Sequence, residues 1–196
     1  MKNEVISQIL SAIGRCKSGD TPFLIAIDGR CAAGKTTLAK QLQDILSCNV
    51  FHMDDFFLPL GLRTRERLAQ PGGNVDVERF RCEVILPIWQ GKTFSYRPYD
   101  CHLQRQVEPK TVLPKPINIV EGSYSCHPHL WDAYNLRVFL DIDPAEQLQR
   151  IKKRNGTENA KVFQEKWIPL EETYFSAFQI AQHCDLLFLT TEMEDL

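Results

Sequence analysis

Short apolar runs alternating with amphipathic stretches predict an α/β fold: three α/β/α layers around a mainly parallel five-stranded sheet, plus a small helix/hairpin insertion. Three observations carry this. Continuous apolar runs recur near 23–27, 50–51, 117–120, 136–140 and 186–189, the pattern of strands buried on both faces. Helical spacing of apolar residues marks several of the stretches between them. A glycine-bearing loop joins the first run to the stretch that follows it.

The elements follow in chain order. Val5, Ile6, Ile9, Leu10 and Ile13 recur at helical spacing, so a helix is expected to end near Gly14. Residues 19–22 read as a turn before the first strand. After the glycine loop, Leu38, Leu42, Ile45 and Leu46 mark a second helix, and the next strand is expected to adjoin the first. Between 58 and 116 the pattern is broken by Pro59, Gly61, Pro71, Gly72, Gly73, Pro98, Pro109, Pro114 and Pro116. This segment is expected to hold a helix over 77–89 and a hairpin beginning at 93–97. Helices are expected again over 144–153 and 160–182. A chain of 196 residues fits one domain with a sizeable core.

Composition excludes some partners. A net charge of −2 gives no bulk attraction to nucleic acid or anionic membranes. No apolar run approaches the roughly 20 residues of a membrane span, and Glu4 and Gln8 interrupt the N-terminal apolar pattern. Seven cysteines without a C-x-x-C pair do not form a disulfide framework. A reduced, cytoplasmic protein is the expectation, with no nucleic-acid or membrane partner and with homo-oligomerisation open.

The most informative stretch is Asp28, Gly29, Arg30, Cys31, Ala32, Ala33, Gly34, Lys35, Thr36 and Thr37. It is G-x-x-x-x-G-K-T placed after a buried strand and before a helix, the phosphate-binding loop of P-loop NTPases. Gly29 and Gly34 let the backbone curl, so the loop's N–H groups converge on phosphate oxygens. The helix N-terminus adds its positive dipole end. Lys35 supplies charge for the β- and γ-phosphates of ATP, and the Thr36 hydroxyl suits Mg²⁺. No N-K-x-D or D-x-x-G guanine-nucleotide motif occurs, nor an L-S-G-G-Q signature. With a small chain and an insertion large enough for a second substrate, these absences favour a kinase.

The loop, then His52, Met53, Asp54, Asp55, Phe56 and Phe57, then Ile119, Val120, Glu121 and Gly122, resemble the uridine kinase/phosphoribulokinase family of P-loop kinases. The D-D-F-F run is similar to nicotinamide riboside kinases, while Arg97, Pro98, Tyr99 and Asp100 are closer to uridine kinases. The resemblance implies a catalytic base at Asp54, a Mg²⁺-associated or substrate-facing carboxylate at Glu121, and a lid at about 150–160. Arg150 or Arg154 would reach the transferred phosphoryl group from that lid. It also implies ATP as donor and a small-molecule acceptor, first a nucleoside; nicotinamide riboside, pantothenate and sugar phosphates are alternatives. A nucleotide-binding regulator is the reading from another class.

On the acceptor side, Asp76 follows a stretch resembling the segment with which uridine kinases hold ribose hydroxyls. Arg97, Tyr99 and His102 are further candidates. Cys101 stands where uridine kinases carry an aromatic residue. The arginines between 63 and 81 either grip an anionic acceptor or form a solvated helix face. His52 reads as a strand residue, and His127 and His129 as loop residues.

Overall fold

The computed structural model describes residues 2–17 and 19–190. The chain runs through α1 (Lys2–Cys16), β1 (Phe23–Gly29), α2 (Lys35–Ile45) and β2 (Cys48–His52). Next come α3 (Arg65–Leu68), α4 (Val77–Phe80), α5 (Leu86–Trp89), β3 (Phe94–Tyr96), β4 (Tyr99–Asp100), β5 (Arg105–Gln106) and β6 (Lys110–Val112). It closes with β7 (Ile117–Glu121), β8 (Leu136–Asp141), α6 (Pro144–Asn155), α7 (Thr157–Val162), α8 (Ile168–Phe178), α9 (Ile180–His183) and β9 (Leu186–Leu189).

Five strands form one parallel sheet in the order β2-β7-β1-β8-β9. The expected adjacency of β1 and β2 is corrected here, because β7 lies between them. Composition explains the exchange. Every residue of β7 is buried, whereas β2 leaves Asn49, Val50 and His52 half-covered and so suits the edge.

Alternation along β1 separates two cores. Leu24 and Ala26 face Phe80, Val84, Ile88, Tyr174 and Ile180. Phe23, Ile25 and Ile27 face Val5, Ile9, Leu38 and Leu42 from α1 and α2. Each such side chain contributes about 1.5–3 kcal/mol when fully buried. The sheet is therefore the middle of three layers.

The helix expected over 77–89 is present, widened into a π-turn at Arg81–Ile85. A second π-turn, Phe163–Trp167, precedes α8. Pro87 and Pro169 fall in the first turns of α5 and α8. Each proline lacks an N–H and would crowd the carbonyl four residues back, which the wider turn relieves. The stretch expected as one helix over 160–182 is further divided at Gln179, whose φ is 49°. The 58–116 segment carries two short antiparallel ribbons, β3–β6 and β4–β5.

Candidate active site

A cleft of about 1760 Å³ opens along the C-terminal edge of the sheet, where parallel α/β sheets place ligands. It exceeds the roughly 300–1,000 Å³ of a single ligand pocket, so two substrates fit. Cys31, Ala32, Gly34, Lys35, Thr36 and Thr37 line its donor end.

Gly29 leaves β1 at φ 136°, and a Cβ there would stand 2.0 Å from the Leu140 carbonyl oxygen. Only glycine lets the loop pass so close to β8. Gly34, at φ 92°, begins α2 without a side-chain cap, leaving its first N–H groups for an anion. Lys35 Nζ donates to Gly29 O at 2.7 Å, Arg30 O at 2.8 Å and Ser123 Oγ at 3.3 Å. The Arg30 side chain turns outward, pairing with Asp141 at 2.7 Å and with Glu172. Ala33 is sealed within the core. At these two positions the backbone is what the loop can offer a nucleotide.

Asp28 anchors the loop from beneath. Its carboxylate accepts from Gly29 N at 2.7 Å, Tyr124 N at 3.2 Å, Cys126 N at 2.8 Å and the Tyr174 hydroxyl at 2.8 Å. Burial pushes the acid up to about 6, with these donors and Lys35 pulling the other way.

Acidic groups and a hydroxyl form the cleft floor. Glu121 ends β7, buried, and accepts from Thr36 Oγ1 at 3.1 and 3.2 Å. His52 Nδ1 lies 2.5 Å from the same carboxylate, which holds the imidazole above its ordinary pKa. The histidine read as a plain strand residue is thus a partner of Glu121. Asp54 follows β2 in a 3₁₀ turn, Met53–Phe56, and is exposed to the cleft. Among the described residues none donates a hydrogen bond to its carboxylate. Enclosure by the cleft walls, then the Glu121 charge, push its pKa up to about 6. Cleft water reaches this carboxylate, which tempers the shift relative to a sealed acid. Gly122, at φ 132°, leaves room for the turn that carries it: a Cβ there would press on Met53 Cβ at 3.1 Å.

Thr36, Glu121 and Asp54 offer hard oxygen donors of the kind Mg²⁺ prefers. Among the described residues no group of three or more His, Cys, Asp or Glu makes a closed metal cage. The donor set therefore fits an ion that arrives partly coordinated by nucleotide phosphates.

The other wall is helical. Asp143 caps α6 through the N–H groups of Ala145 and Glu146, and Gly156, at φ 80°, separates α6 from α7. Arg150, Lys153 and Arg154 line the cleft from this wall. Arg150 pairs with Glu146 at 2.8 Å and donates to Thr190 O at 3.1 Å. Arg154 donates to Asn155 Oδ1 at 2.7 Å and lies over the Phe163 ring.

Acceptor candidates divide. Tyr99 and His102 line the cleft. Asp76 does not: its carboxylate caps α4 by accepting from Arg79 N at 3.0 Å, so the ribose-holding expectation finds it turned to backbone. Arg97 is exposed outside the cleft. The order of Pro71, Gly72, Gly73, Asn74, Val75 and Asp76 explains this, because an Asp immediately before a helix satisfies its free N–H groups.

Sequence reasoning missed Glu171 and Ser123. Glu171 Oε2 accepts from Cys31 N at 3.0 Å and Oε1 from Ser123 Oγ at 2.6 Å. Burial, then the Glu171 charge, push the Cys31 thiol up to about 12. A signal was present: Ile168, Glu171, Tyr174, Phe175 and Phe178 recur at helical spacing, so one carboxylate sits in an apolar stripe. Trp167, stacked on Phe57 at 6.4 Å across the cleft, was also missed.

Comparison with known proteins is consistent with this geometry. No protein-family model matches the chain. It is 26% identical over 157 residues to uridine-cytidine kinase 2-B of Danio rerio, covering 71% of this chain and 60% of that protein. It is 30% identical over 151 residues to uridine kinase-like protein 4 of Arabidopsis thaliana, covering 71% and 31%. The chain thus spans less than two thirds of the length of these curated relatives. Among solved structures, one titled as a possible uridine kinase from Bacillus stearothermophilus aligns over 96% of this chain and all of that one. Its TM-score is 0.70 at 19% identity. D-glycerate 3-kinase from Cryptococcus neoformans aligns over 88% of each chain, with TM-score 0.62 and 18% identity. The chain has the P-loop kinase fold and is a relative of the uridine kinases.

Proposed function

We propose that the chain is an ATP- and Mg²⁺-dependent kinase that transfers the γ-phosphate to a hydroxyl of a small metabolite. The observation that carries this is Asp54, an accessible carboxylate that accepts no hydrogen bond among the described residues and shares one cleft with the phosphate loop. A regulator has no need of a free base there.

In this reading Lys35 exchanges its carbonyl partners for the β- and γ-phosphates, and the N–H groups opening α2 take phosphate oxygens. Thr36, Glu121 and Asp54 would hold Mg²⁺, which would neutralise charge on the phosphates. Asp54 accepts the acceptor's hydroxyl proton. The acceptor oxygen then bonds to Pγ in line as the bond from Pγ to the β,γ-bridging oxygen breaks, and ADP leaves with that bond's electron pair. Arg150, Lys153 and Arg154 stand where they would meet the transferred group. The reading requires neither nucleic acid nor membrane. All seven cysteines are free thiols, which suits a reducing cytoplasm, and among the described residues no helix is long and apolar enough to cross a membrane.

Two acceptor classes follow. The names of the curated relatives favour a nucleoside. Asp76, the residue that would hold ribose, is engaged as a cap, and Arg63, which among the described residues pairs with no carboxylate, favours an anionic acceptor instead. The test is ADP release with ATP and Mg²⁺ across nucleosides, nicotinamide riboside, hydroxy acids including pantothenate, and sugar phosphates. Acceptor-dependent release that Asp54→Asn abolishes supports the kinase. ATP hydrolysis indifferent to every acceptor sinks it.

A further inference from the structure

The arginines between 63 and 81 meet separate fates. Arg67 donates to Gly73 O and Val75 O and approaches Glu78 at 3.7 Å. Arg79 lies 4.4 Å over the Phe56 ring and donates to Asp55 O. Arg81 forks onto both oxygens of Asp132. Arg65 stands exposed on α3, outside the cleft. Of the five, Arg63 is the one that lines the cleft.

Its setting is built. Nε donates to Leu58 O at 2.5 Å. The rings of Phe57 and Tyr99 lie 6.0 and 5.6 Å from the guanidinium carbon. Nη2 is buried and makes no hydrogen bond, and among the described residues no carboxylate pairs with Arg63. A guanidinium among rings, with no counter-charge, is an unfavourable arrangement until an anion arrives. Its planar fork matches a carboxylate or phosphate through two parallel N–H···O bonds.

A second donor stands beside it. Asn74 lines the cleft with its side chain beside the Tyr124 hydroxyl, and among the described residues its buried Nδ2 meets no partner at full hydrogen-bond geometry. Leu58 ties the two together, giving its N–H to Asn74 O at 3.0 Å and its carbonyl to Arg63. Nearby acids are otherwise engaged or free for chemistry. Asp55 is held by Lys110 at 3.0 Å and the Tyr96 hydroxyl at 3.1 Å. The Cys101 thiol, on the cleft wall, meets the Arg63 side chain through a hydrogen bond and also feels the Asp54 charge, so Arg63 and Asp54 border one volume and a neutral thiol is no counter-charge to the guanidinium.

We propose that Arg63, with Asn74 beside it, docks an anionic substituent of the acceptor, so the phosphorylated molecule is a hydroxy compound bearing a carboxylate or phosphate. The inference rests on the kinase reading and sharpens it. One end of such a molecule takes the guanidinium while its hydroxyl meets Asp54.

The test is steady-state ADP release with three acceptor sets: hydroxycarboxylates such as glycerate and pantothenate, sugar phosphates, and neutral nucleosides and sugars. Arg63→Met and Arg63→Lys are run beside the parent chain, with thermal melts confirming that each variant folds. Turnover is expected with one anionic set, which also identifies whether carboxylate or phosphate is read. Arg63→Met should raise that acceptor's KM by at least tenfold and Arg63→Lys by less, while the KM for ATP stays within twofold. Turnover confined to neutral acceptors, or an anionic acceptor whose KM ignores Arg63→Met, overturns the inference and leaves the kinase standing. Silence across all three sets, with ATP binding intact, overturns both. If Arg63→Met melts early, Arg63→Lys alone decides: a KM unchanged from the parent overturns the docking role.

Discussion

The two ends of the cleft are built in opposite ways. At the donor end nearly every polar group is already engaged: Lys35 with two carbonyls and Ser123, Thr36 with Glu121, and Glu171 with the loop amide of Cys31. These groups sit at the ends of long, buried strands or on full helices. At the acceptor end Asp54 and Arg63 make no ion pair among the described residues and stand on a 3₁₀ turn and a connecting loop. Short ribbons and four-residue helices surround them. The donor end is preorganised for a ligand common to many enzymes, whereas the acceptor end waits for its ligand to complete it.

Asp54→Asn is expected to separate the two ends most sharply. Turnover should fall by up to about 10⁴-fold while ATP affinity, measured by titration calorimetry, changes only a few-fold. The same residue sets a pH limb. A base held near 6 is protonated below that value, so parent turnover should decline as pH drops from 7 to 5. Asp54→Asn should lose that limb, and its persistence would assign the titration elsewhere.

Lys35→Met strikes the donor end, with an expected loss of about 10²–10³-fold in kcat. Retention of activity within tenfold would mean the loop amides hold the phosphates unaided. Glu171→Ala should act on stability first. It strands the Cys31 amide and the Ser123 hydroxyl, costing about 1–3 kcal/mol, or a melting point lower by roughly 2–10 °C. An unchanged melt would show that water replaces the carboxylate without loss. Asp76→Ala is the mildest: loss of an N-cap worth about 1 kcal/mol, with the acceptor KM unmoved. A tenfold rise in that KM would return Asp76 to the acceptor site.

This contrast also explains what could be read from the sequence. The strand at 23–27, the G-x-x-x-x-G-K-T loop and the carboxylate ending β7 announce themselves because backbone curvature and phosphate charge admit few residue types. The strand order did not follow. The relative placement of β2 and β7 depends on how completely each is covered, and the half-buried Asn49 and His52 reveal that only once the layers are assembled. Asp76 shows the limit on the acceptor side. An Asp before a helix serves equally as cap or as ligand, and the spacing of Pro71 to Asp76 does not choose. Arg63 was one of several arginines in sequence and stood apart only after Arg67, Arg79 and Arg81 had found partners.

Glu171 reaches the phosphate loop from 140 residues further along the chain, while Tyr174, one turn later on α8, holds Asp28 at the loop's start. One helix therefore holds the first half of the loop at two points. The Cys31 amide proton becomes a reporter: without nucleotide, its exchange with solvent measures how often α8 lifts from the sheet. Slow exchange there in the nucleotide-free protein would describe the seating of a distant helix, and a change on adding ATP would show whether ligand and helix compete for the same hydrogen.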